Sequence, residues 1–307
     1  MMKLVSLLPP IVAVSLAPLL LGIINRTKAM FAGRVGQPLL QPYFDLWKLL
    51  GKGAVYSRTT TWVFRAGPMI GLASMLVATT LLPFGSCPAP LGFPGDLILL
   101  AYLLGLARLF TVLAALDTGS PFEGMGASRE MLFSALAEPA LLLGLAAVAR
   151  RTEVLSLSEM QLAITGSLWM KSGLTLILVA VALGVVLLTE NSRIPIDDPT
   201  THLELTMIHE VMVLDHSGPD FAFILYGAAL KLWILGGLII GVVVPLRTGL
   251  ILADLVLALA AMLVLAIAVG VVESTMARLR LIRVPQLLVG AVTLSILALI
   301  LEYGGNL

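Results

Sequence analysis

Carboxylates and imidazoles, the side chains that can exchange protons, are concentrated in residues 190–220. This stretch contains seven of the eighteen acidic residues and all three histidines. Its pattern predicts a helix over about 201–215. On that helix the histidines would share one face at intervals of about 10 Å, too far apart for two of them to bind one ion. The spacing favours a polar or protonatable contact surface over a metal site. The histidines are His202, His209 and His216.

A further carboxylate, Glu138, lies within an apolar run and is followed by Pro139. A charged side chain below the lipid headgroups is costly, so an intramembrane glutamate is a functional hypothesis by default. Two cations, Arg108 and Lys231, also lie within apolar runs. We interpret Glu138 as a proton-transfer group or as half of a buried ion pair with one of these cations. The two roles are compatible.

The segment before Glu138, residues 117–129, is rich in glycine, serine and proline. This composition predicts a turn-rich loop, and Ser128 is positioned to cap the helix that follows.

The elements that must position these groups are transmembrane helices. Apolar residues make up 59% of the 307 residues and charged residues 12%, whereas soluble domains have about 45–50% and about 25%. A membrane-spanning helix needs about 20 apolar residues. The sequence therefore predicts an all-α polytopic membrane protein, a single membrane domain over 1–307 with eight spans. The predicted spans are about 4–24, 66–84, 96–116, 130–149, 169–189, 221–245, 249–271 and 285–302.

Basic residues predict the orientation of these spans. The loops after spans one, three, five and seven contain twelve lysines and arginines, and the opposite side contains five. Because cytoplasmic loops carry an excess of basic residues, the first set is expected in the cytoplasm and both termini outside. The functional loops on the cytoplasmic side are then 25–65, 117–129 and 190–220.

The loop 25–65 contains a stretch, 39–50, that is too short to span a membrane. Gln41, Asp45, Lys48 and Lys52 form one polar stripe along it. This pattern predicts an amphipathic helix in the membrane interface. The helix is either a plain membrane anchor or a collar that seats a partner protein.

The sequence lacks the motifs that are typical of several classes of function. A single cysteine, Cys87, excludes an internal disulfide and a thiolate cluster. Nucleotide-binding glycine motifs, Cys-x-x-Cys and His-Glu-x-x-His are absent. Basic and acidic residues nearly cancel, 19 against 18, so no bulk charge indicates nucleic acid. We expect no cofactor and no metal on this chain.

Four motifs in order resemble the complex I subunit 1 family, the membrane subunit against which a hydrophilic arm docks. The likeness covers nearly the whole chain. The motifs are Arg34-Val35-Gly36, then Leu40-Gln41-Pro42-x-x-Asp45-x-x-Lys48-Leu49, then Gly126-Ala127-x-Arg129 with Glu138-Pro139, and Glu190-x-x-Arg193-x-Pro195-x-Asp197-x-Pro199.

Within that family the chain is most similar to the subunit 4 (hydrogenase-4 component C) type of membrane-bound, energy-converting nickel–iron hydrogenases. The stretches 116–130 and 201–210 carry this closer resemblance. One departure is Gly36-Gln37-Pro38, where complex I members have Gly-Pro, so a quinone-entry region does not carry over.

The resemblance implies a non-catalytic subunit with a chain of buried carboxylates that links redox chemistry in the arm to ion movement. The implied proton path is Glu138, Glu130, Glu123, Asp117, Glu190, Glu204, Glu210 and Asp215. Possible charge partners are Arg108, Lys231, Arg129 and Arg193, and residues for docking of the arm are Arg34, Gln41, Asp45 and Asp197.

The resemblance also implies the partners and the location. The partners are the small, iron–sulfur subunit and the large subunit of the arm, antiporter-like membrane subunits, and lipid, with no nucleic acid. Iron–sulfur clusters and the nickel–iron centre are expected on those partner subunits. The location is a bacterial or archaeal cell membrane.

Two other functions remain open at this stage. One is a complex I subunit 1 proper, with a quinone chamber. The other is a stand-alone ion or solute carrier, which the absence of an evident inverted repeat disfavours.

Overall fold

A computed structural model describes residues 5–197, 208–245 and 248–304 of the chain. Eleven α-helices lie in this described part. They are α1 (Leu8–Phe31), α2 (Gln41–Leu50), α3 (Trp62–Leu81), α4 (Asp96–Asp117), α5 (Pro121–Thr152), α6 (Leu157–Ala163), α7 (Gly166–Glu190), α8 (His209–Met212), α9 (Gly218–Val243), α10 (Ile251–Thr275) and α11 (Val284–Gly304).

Eight of the helices are long and apolar enough to cross a membrane: α1, α3, α4, α5, α7, α9, α10 and α11. The prediction of an all-α membrane protein with eight spans is confirmed. Within the described residues α9 is the most buried of the eight. It contacts the spans α1, α3, α7 and α10 and the short helix α2, so these helices are arranged around it.

Small residues let the helices around α9 approach closely. At Gly237, an added Cβ would lie 2.7 Å from Leu82 Cδ2. Small residues at helix contacts are typical of membrane bundles, where close packing drives association. Trp233 on α9 is almost fully buried and packs against the Phe84 ring with 5.3 Å between centroids.

The predicted amphipathic helix is confirmed as α2. None of its residues is buried. Trp47 is 81% and Phe44 59% exposed. The hydroxyl of Tyr43 donates to the carbonyl of Ser15 at 2.5 Å and fixes α2 beside α1. An apolar, exposed face next to the spans suits the membrane interface.

The predicted loop over 117–129 is wrong, because α5 begins at Pro121 and not at residue 130. Proline suits the first turn of a helix. Gly126, a weak helix former, lies under α8, where an added Cβ would be 2.8 Å from the Ile208 carbonyl oxygen. Tertiary packing therefore decides the start of the helix. Ser128 is not an N-cap: its hydroxyl donates to the Met125 carbonyl at 2.9 Å.

The predicted helix over 201–215 is present among the described residues but is shorter than predicted. Its described part is one turn, α8, which begins at His209 and ends at Met212. The Asp197 carboxylate sets the beginning, because it accepts the backbone N–H groups of Ile208 at 3.0 Å and His209 at 3.3 Å. His216 lies beyond the helix, stacked on Phe64, and residue 202 lies outside the described residues.

On the side opposite α2 and α8, a buried carboxylate joins two connecting segments. Asp96 is fully buried at the start of α4. It accepts the backbone N–H of Leu157 at 2.8 Å and the hydroxyl of Ser156 at 3.1 Å. It therefore positions the short helix α6 after the long helix α5.

Asp96→Ala is expected to lower the free energy of unfolding by about 1–3 kcal/mol, because it leaves buried donors without an acceptor. Thermal denaturation in mild detergent, followed by tryptophan fluorescence, measures the change. Asp45→Ala is the control, since Asp45 accepts from Gln41 at 2.8 Å on the exposed helix α2. An equal change in both variants would contradict this role of Asp96.

Candidate functional site

An arginine bridges two carboxylates at the centre of the structure. Arg108 on α4 donates from Nη1 to Glu138 Oε1 on α5 at 2.5 Å and from Nη2 to Glu190 Oε1 on α7 at 2.6 Å. Lys231 Nζ on α9 lies 3.7 Å from Glu190 Oε2. The side chains of Arg108 and Glu190 are 8% and 4% exposed. Four membrane helices are thus joined by one ionic network.

Glu130 is the fifth member of this group. It is buried on α5, and Lys231 and Arg108 are the cations that act on its charge. We refer to Arg108, Glu130, Glu138, Glu190 and Lys231 as the central ion cluster. It contains three carboxylates and two cations, so full ionisation would leave one uncompensated negative charge. Burying such a charge is costly, and one bound proton removes it.

Two cavities reach the central ion cluster, and a third adjoins one of them. The inner cavity, of about 60 Å³ between α3, α4 and α9, is lined by Arg108, Glu130, His209 and Lys231. Liquid water occupies about 30 Å³ per molecule, so this space can hold about two waters.

The other two cavities lie on either side of the inner one. The loop cavity, of about 440 Å³, is lined by His209 with Asn191, Arg193, Glu210 and other groups of the 191–216 region. The lateral groove, of about 600 Å³ between α4, α5 and α7, is lined by Arg108, Glu138 and Glu190 among apolar side chains. The inner cavity therefore adjoins the loop cavity at His209, Ile224 and Ala228, and it adjoins the lateral groove at Leu104 and Arg108.

The structure brings Glu138, Glu130, Glu190, Arg108 and Lys231 together, and their role as a proton path stays a prediction. Glu138 is ion-paired with Arg108, one of the two partners considered. Its side chain is nevertheless 43% exposed, towards the lateral groove.

The remaining predicted path residues are distributed more widely. Glu123 is buried, and its Oε2 has no hydrogen-bond partner among the described residues. Glu210 lines the loop cavity, and Asp215 is exposed. Asp117 caps α3 by accepting the Thr61 N–H at 2.6 Å. Residue 204 lies outside the described residues.

The predicted docking residues differ in exposure. Arg34 and Asp45 are exposed, and the Gln41 side chain donates to Asp45. Asp197 is buried, and it is used within the chain, where Arg278 Nη2 lies 2.8 Å from its Oδ1. Its carboxylate therefore holds the beginning of α8 in place and is not available on the surface for docking. Arg129, a predicted charge partner, is half-buried on α5.

A second ionic group was missed at the sequence level. The Glu273 side chain on α10 is fully buried, 2.8 Å from Lys28 Nζ on α1 and 3.2 Å from Arg193 Nη1. Arg193 was expected to serve the carboxylate path, and its partner is this glutamate. An acid directly after a very apolar run was the signal that pointed to it.

Two of the histidines are neutral at pH 7. Burial, reinforced by the charge of Lys231, lowers the pKa of His209 to about 4. Burial also lowers the pKa of His216 to about 4, and its ring stacks on Phe64 with 4.0 Å between centroids. A neutral imidazole can accept a proton on one nitrogen and release one from the other.

Arg108→Gln is expected to lower the free energy of unfolding by about 3–5 kcal/mol, because it leaves buried carboxylates without their cation. Adding Glu190→Gln should restore part of the loss by removing one of those carboxylates. Arg151→Gln is the control, because Arg151 Nη1 lies 3.6 Å from Glu302 in a more exposed pair. Denaturant unfolding in detergent of the wild type, Arg108→Gln, Glu190→Gln, the double variant and the control measures the differences, and additive losses would contradict the coupling.

Comparisons with known proteins agree with this architecture. A family model described as NADH dehydrogenase matches residues 2–303. Formate hydrogenlyase subunit 4 of Escherichia coli is 34% identical over 297 residues, covering 94% of each chain. Hydrogenase-4 component C of Escherichia coli is 33% identical over 282 residues, covering 89% of this chain and 87% of the relative.

A solved structure shares the fold. It is the membrane-bound sulfane sulfur reductase, an archaeal respiratory membrane complex, one chain of which superposes with a TM-score of 0.81. The superposition covers 98% of this chain and 99% of the other at 22% identity. With the match of the family model over nearly the whole length and two relatives above 30% identity, the chain belongs to the NADH dehydrogenase family of membrane subunits, the complex I subunit 1-like family.

Proposed function

We propose that the chain is the membrane-anchor and proton-path subunit of an energy-converting nickel–iron hydrogenase-type complex. In this function it docks the hydrophilic redox arm and couples the chemistry of that arm to ion translocation. The observation that carries the proposal is the central ion cluster, which has one carboxylate more than its cations and lies between cavities. The two Escherichia coli relatives, which are named as components of hydrogenase systems, support it.

The cluster has the properties of a site that stores and passes on a proton. With three carboxylates and two cations, the proton can reside on different members. Protonating Glu190 weakens its pair with Arg108, and the guanidinium then favours Glu138 at the lateral groove. The reverse holds when Glu138 is protonated. Such an exchange moves a proton between the two sides of Arg108 without a net change of charge.

Coupling to the redox arm requires that a structural or charge change in the arm shift the equilibrium of this proton exchange between Glu190 and Glu138. Glu190 ends α7, and the next residues lead directly into the loop that contains Arg193 and Asp197. A displacement of that loop by a few ångströms would change the field at the cluster. The resulting coupling free energy is reciprocal, so proton occupancy would also affect binding or redox state in the arm.

The surface that would receive the arm surrounds α2. Residues 31–40 and half of the residues of α2 are exposed, and Arg34, Lys48 and Lys52 provide positive charge beside Trp47. In this proposal the small and large subunits bind this side, with iron–sulfur clusters and the nickel–iron centre on those subunits. In this proposal this side faces the cytoplasm and both termini lie outside, because cytoplasmic loops carry an excess of basic residues.

The lateral groove is where an antiporter-like membrane subunit would bind. Glu138 is 43% exposed within a membrane-spanning helix, and Tyr102 at the same groove is 73% exposed. Charged groups within membranes face protein or a water-filled cavity. A neighbouring helix over the groove would remove Glu138 from lipid and continue the path.

One observation favours a second function, complex I subunit 1 with a quinone chamber. The loop cavity, of about 440 Å³, is large enough for the headgroup of a small ligand and contains polar groups beside apolar ones. The matched family model carries the description NADH dehydrogenase. The two functions differ in their partners, and partner analysis therefore separates them.

Purification of the chain from its native membranes in mild detergent should recover a large subunit with two Cys-x-x-Cys pairs and stoichiometric nickel. Mass spectrometry and a nickel assay give this result directly. Recovery with NADH-oxidising subunits and bound quinone, without nickel, would replace the proposal by the second function. A chain that is recovered alone, stable and folded, would exclude both.

Glu138→Gln should lower ion translocation per redox turnover by about tenfold or more, because glutamine cannot take up or release the proton. The measurement uses the assembled complex in proteoliposomes, with a pH-sensitive dye inside and the redox reaction monitored in parallel.

Glu159→Gln is the matched control for this experiment. Glu159 is an exposed glutamate on α6, on the side opposite the basic loops. It should leave both translocation and assembly unchanged. Wild-type translocation by the Glu138 variant would exclude Glu138 from the path.

A further inference from the structure

The loop cavity and the inner cavity adjoin each other at His209. His209 lines both spaces. The inner cavity continues to Glu130, Lys231 and Arg108. The loop cavity continues to Glu210 and Asn191. His209, Ile224 and Ala228 line both cavities, and of these three His209 alone has a side chain that can exchange protons.

The position of His209 is fixed by an ion pair outside the central ion cluster. Asp197 Oδ2 accepts the backbone N–H groups of Ile208 and His209 at 3.0 and 3.3 Å. Arg278 Nη2 lies 2.8 Å from Asp197 Oδ1 and holds that carboxylate in place. The turn that follows packs against α4 and α5 with Val211 and Met212 buried.

The charges facing His209 favour release of a proton towards the cluster. Lys231 opposes a positive charge on the ring, and Glu190 attracts one. Glu130, in the same inner cavity, is a further acceptor within the space that two waters can fill. Burial keeps the pKa of His209 near 4, so the imidazolium is short-lived at neutral pH.

From this geometry we infer that His209 is the proton-transfer residue between the loop cavity and the inner cavity, and that the Asp197–Arg278 pair positions it. The inference rests on the proposed function, since it names the entry step of the same path. One ring nitrogen binds a proton from the loop cavity, and the other nitrogen releases its proton towards Glu130 or Glu190. A tautomer exchange then restores the starting state. Protons are conserved and no electrons are transferred.

His216 provides a matched control for His209. It also lines the loop cavity and is also buried and neutral, but it does not line the inner cavity, and its ring is stacked on Phe64. His209→Gln is expected to lower ion translocation per redox turnover about tenfold, and His216→Gln to leave it near the wild-type value. Both are measured on the assembled complex in proteoliposomes, beside Glu138→Gln.

The possible results separate the inference from the function on which it rests. Normal translocation by His209→Gln together with loss in Glu138→Gln would overturn the role of His209 and leave the proposed function standing. Normal translocation in both would overturn the two together. An equal loss in His209→Gln and His216→Gln would also overturn the role of His209, because the effect would not depend on the inner cavity.

Chemical rescue tests proton transfer apart from any structural role. In His209→Ala, added imidazole can enter the loop cavity, whose volume of about 440 Å³ exceeds that of the missing ring. We expect imidazole to restore translocation several-fold, and added pyrrole, which has the same size but no basic nitrogen, to have no effect. Failure of imidazole to rescue an assembled His209→Ala complex, or equal rescue by pyrrole, would overturn the inference.

Discussion

The structure depends on one guanidinium group that holds two carboxylates of different helices. Arg108 contacts Glu138 on α5 and Glu190 on α7 from its own position on α4. In a low-dielectric interior each of these charges is costly alone, and the planar guanidinium with several donors can satisfy two partners at once. Lys231 adds α9 to the same network. The relative positions of four spans are therefore constrained by electrostatics as well as by packing.

The same network of charges makes the central ion cluster sensitive to changes in its protonation. Three carboxylates share two cations, so the cluster cannot be both fully ionised and neutral. In the proposed function the cluster binds one proton, and the position of that proton depends on small differences in the electrostatic potential. The proton could leave the cluster through the inner cavity or through the lateral groove, and Arg108 lines both spaces. A group that only stabilised the fold would have no need for the excess carboxylate or for the exposure of Glu138.

The features that could be predicted from the sequence are those set by local composition. Apolar runs gave the eight spans, and the isolated charges Arg108, Glu138 and Lys231 stood out against them. The start of α5 could not be read from residues 117–129, because the packing of Gly126 under α8 overrides its weak helix propensity. The turn α8 depends on Asp197, and Glu273 on partners from α1 and the loop after α7. These contacts join residues far apart in the chain, which no local pattern reveals.

The proposed docking surface around α2 is connected to the central ion cluster through packed helices and ion pairs. The helix α2 packs on α1, and Lys28 near the end of α1 pairs with Glu273, which also holds Arg193. Arg193 lies three residues after Glu190, so the loop that follows the cluster is anchored to the helix beside the docking surface. Contact between the two regions does not by itself establish energetic coupling between them. Coupling requires an element with two states whose equilibrium is shifted by both regions. In the proposed function the alternative protonation states on either side of Arg108 would be such an element. The loop after Glu190 and the helix α9, which contacts α2 and carries Lys231, connect the two regions.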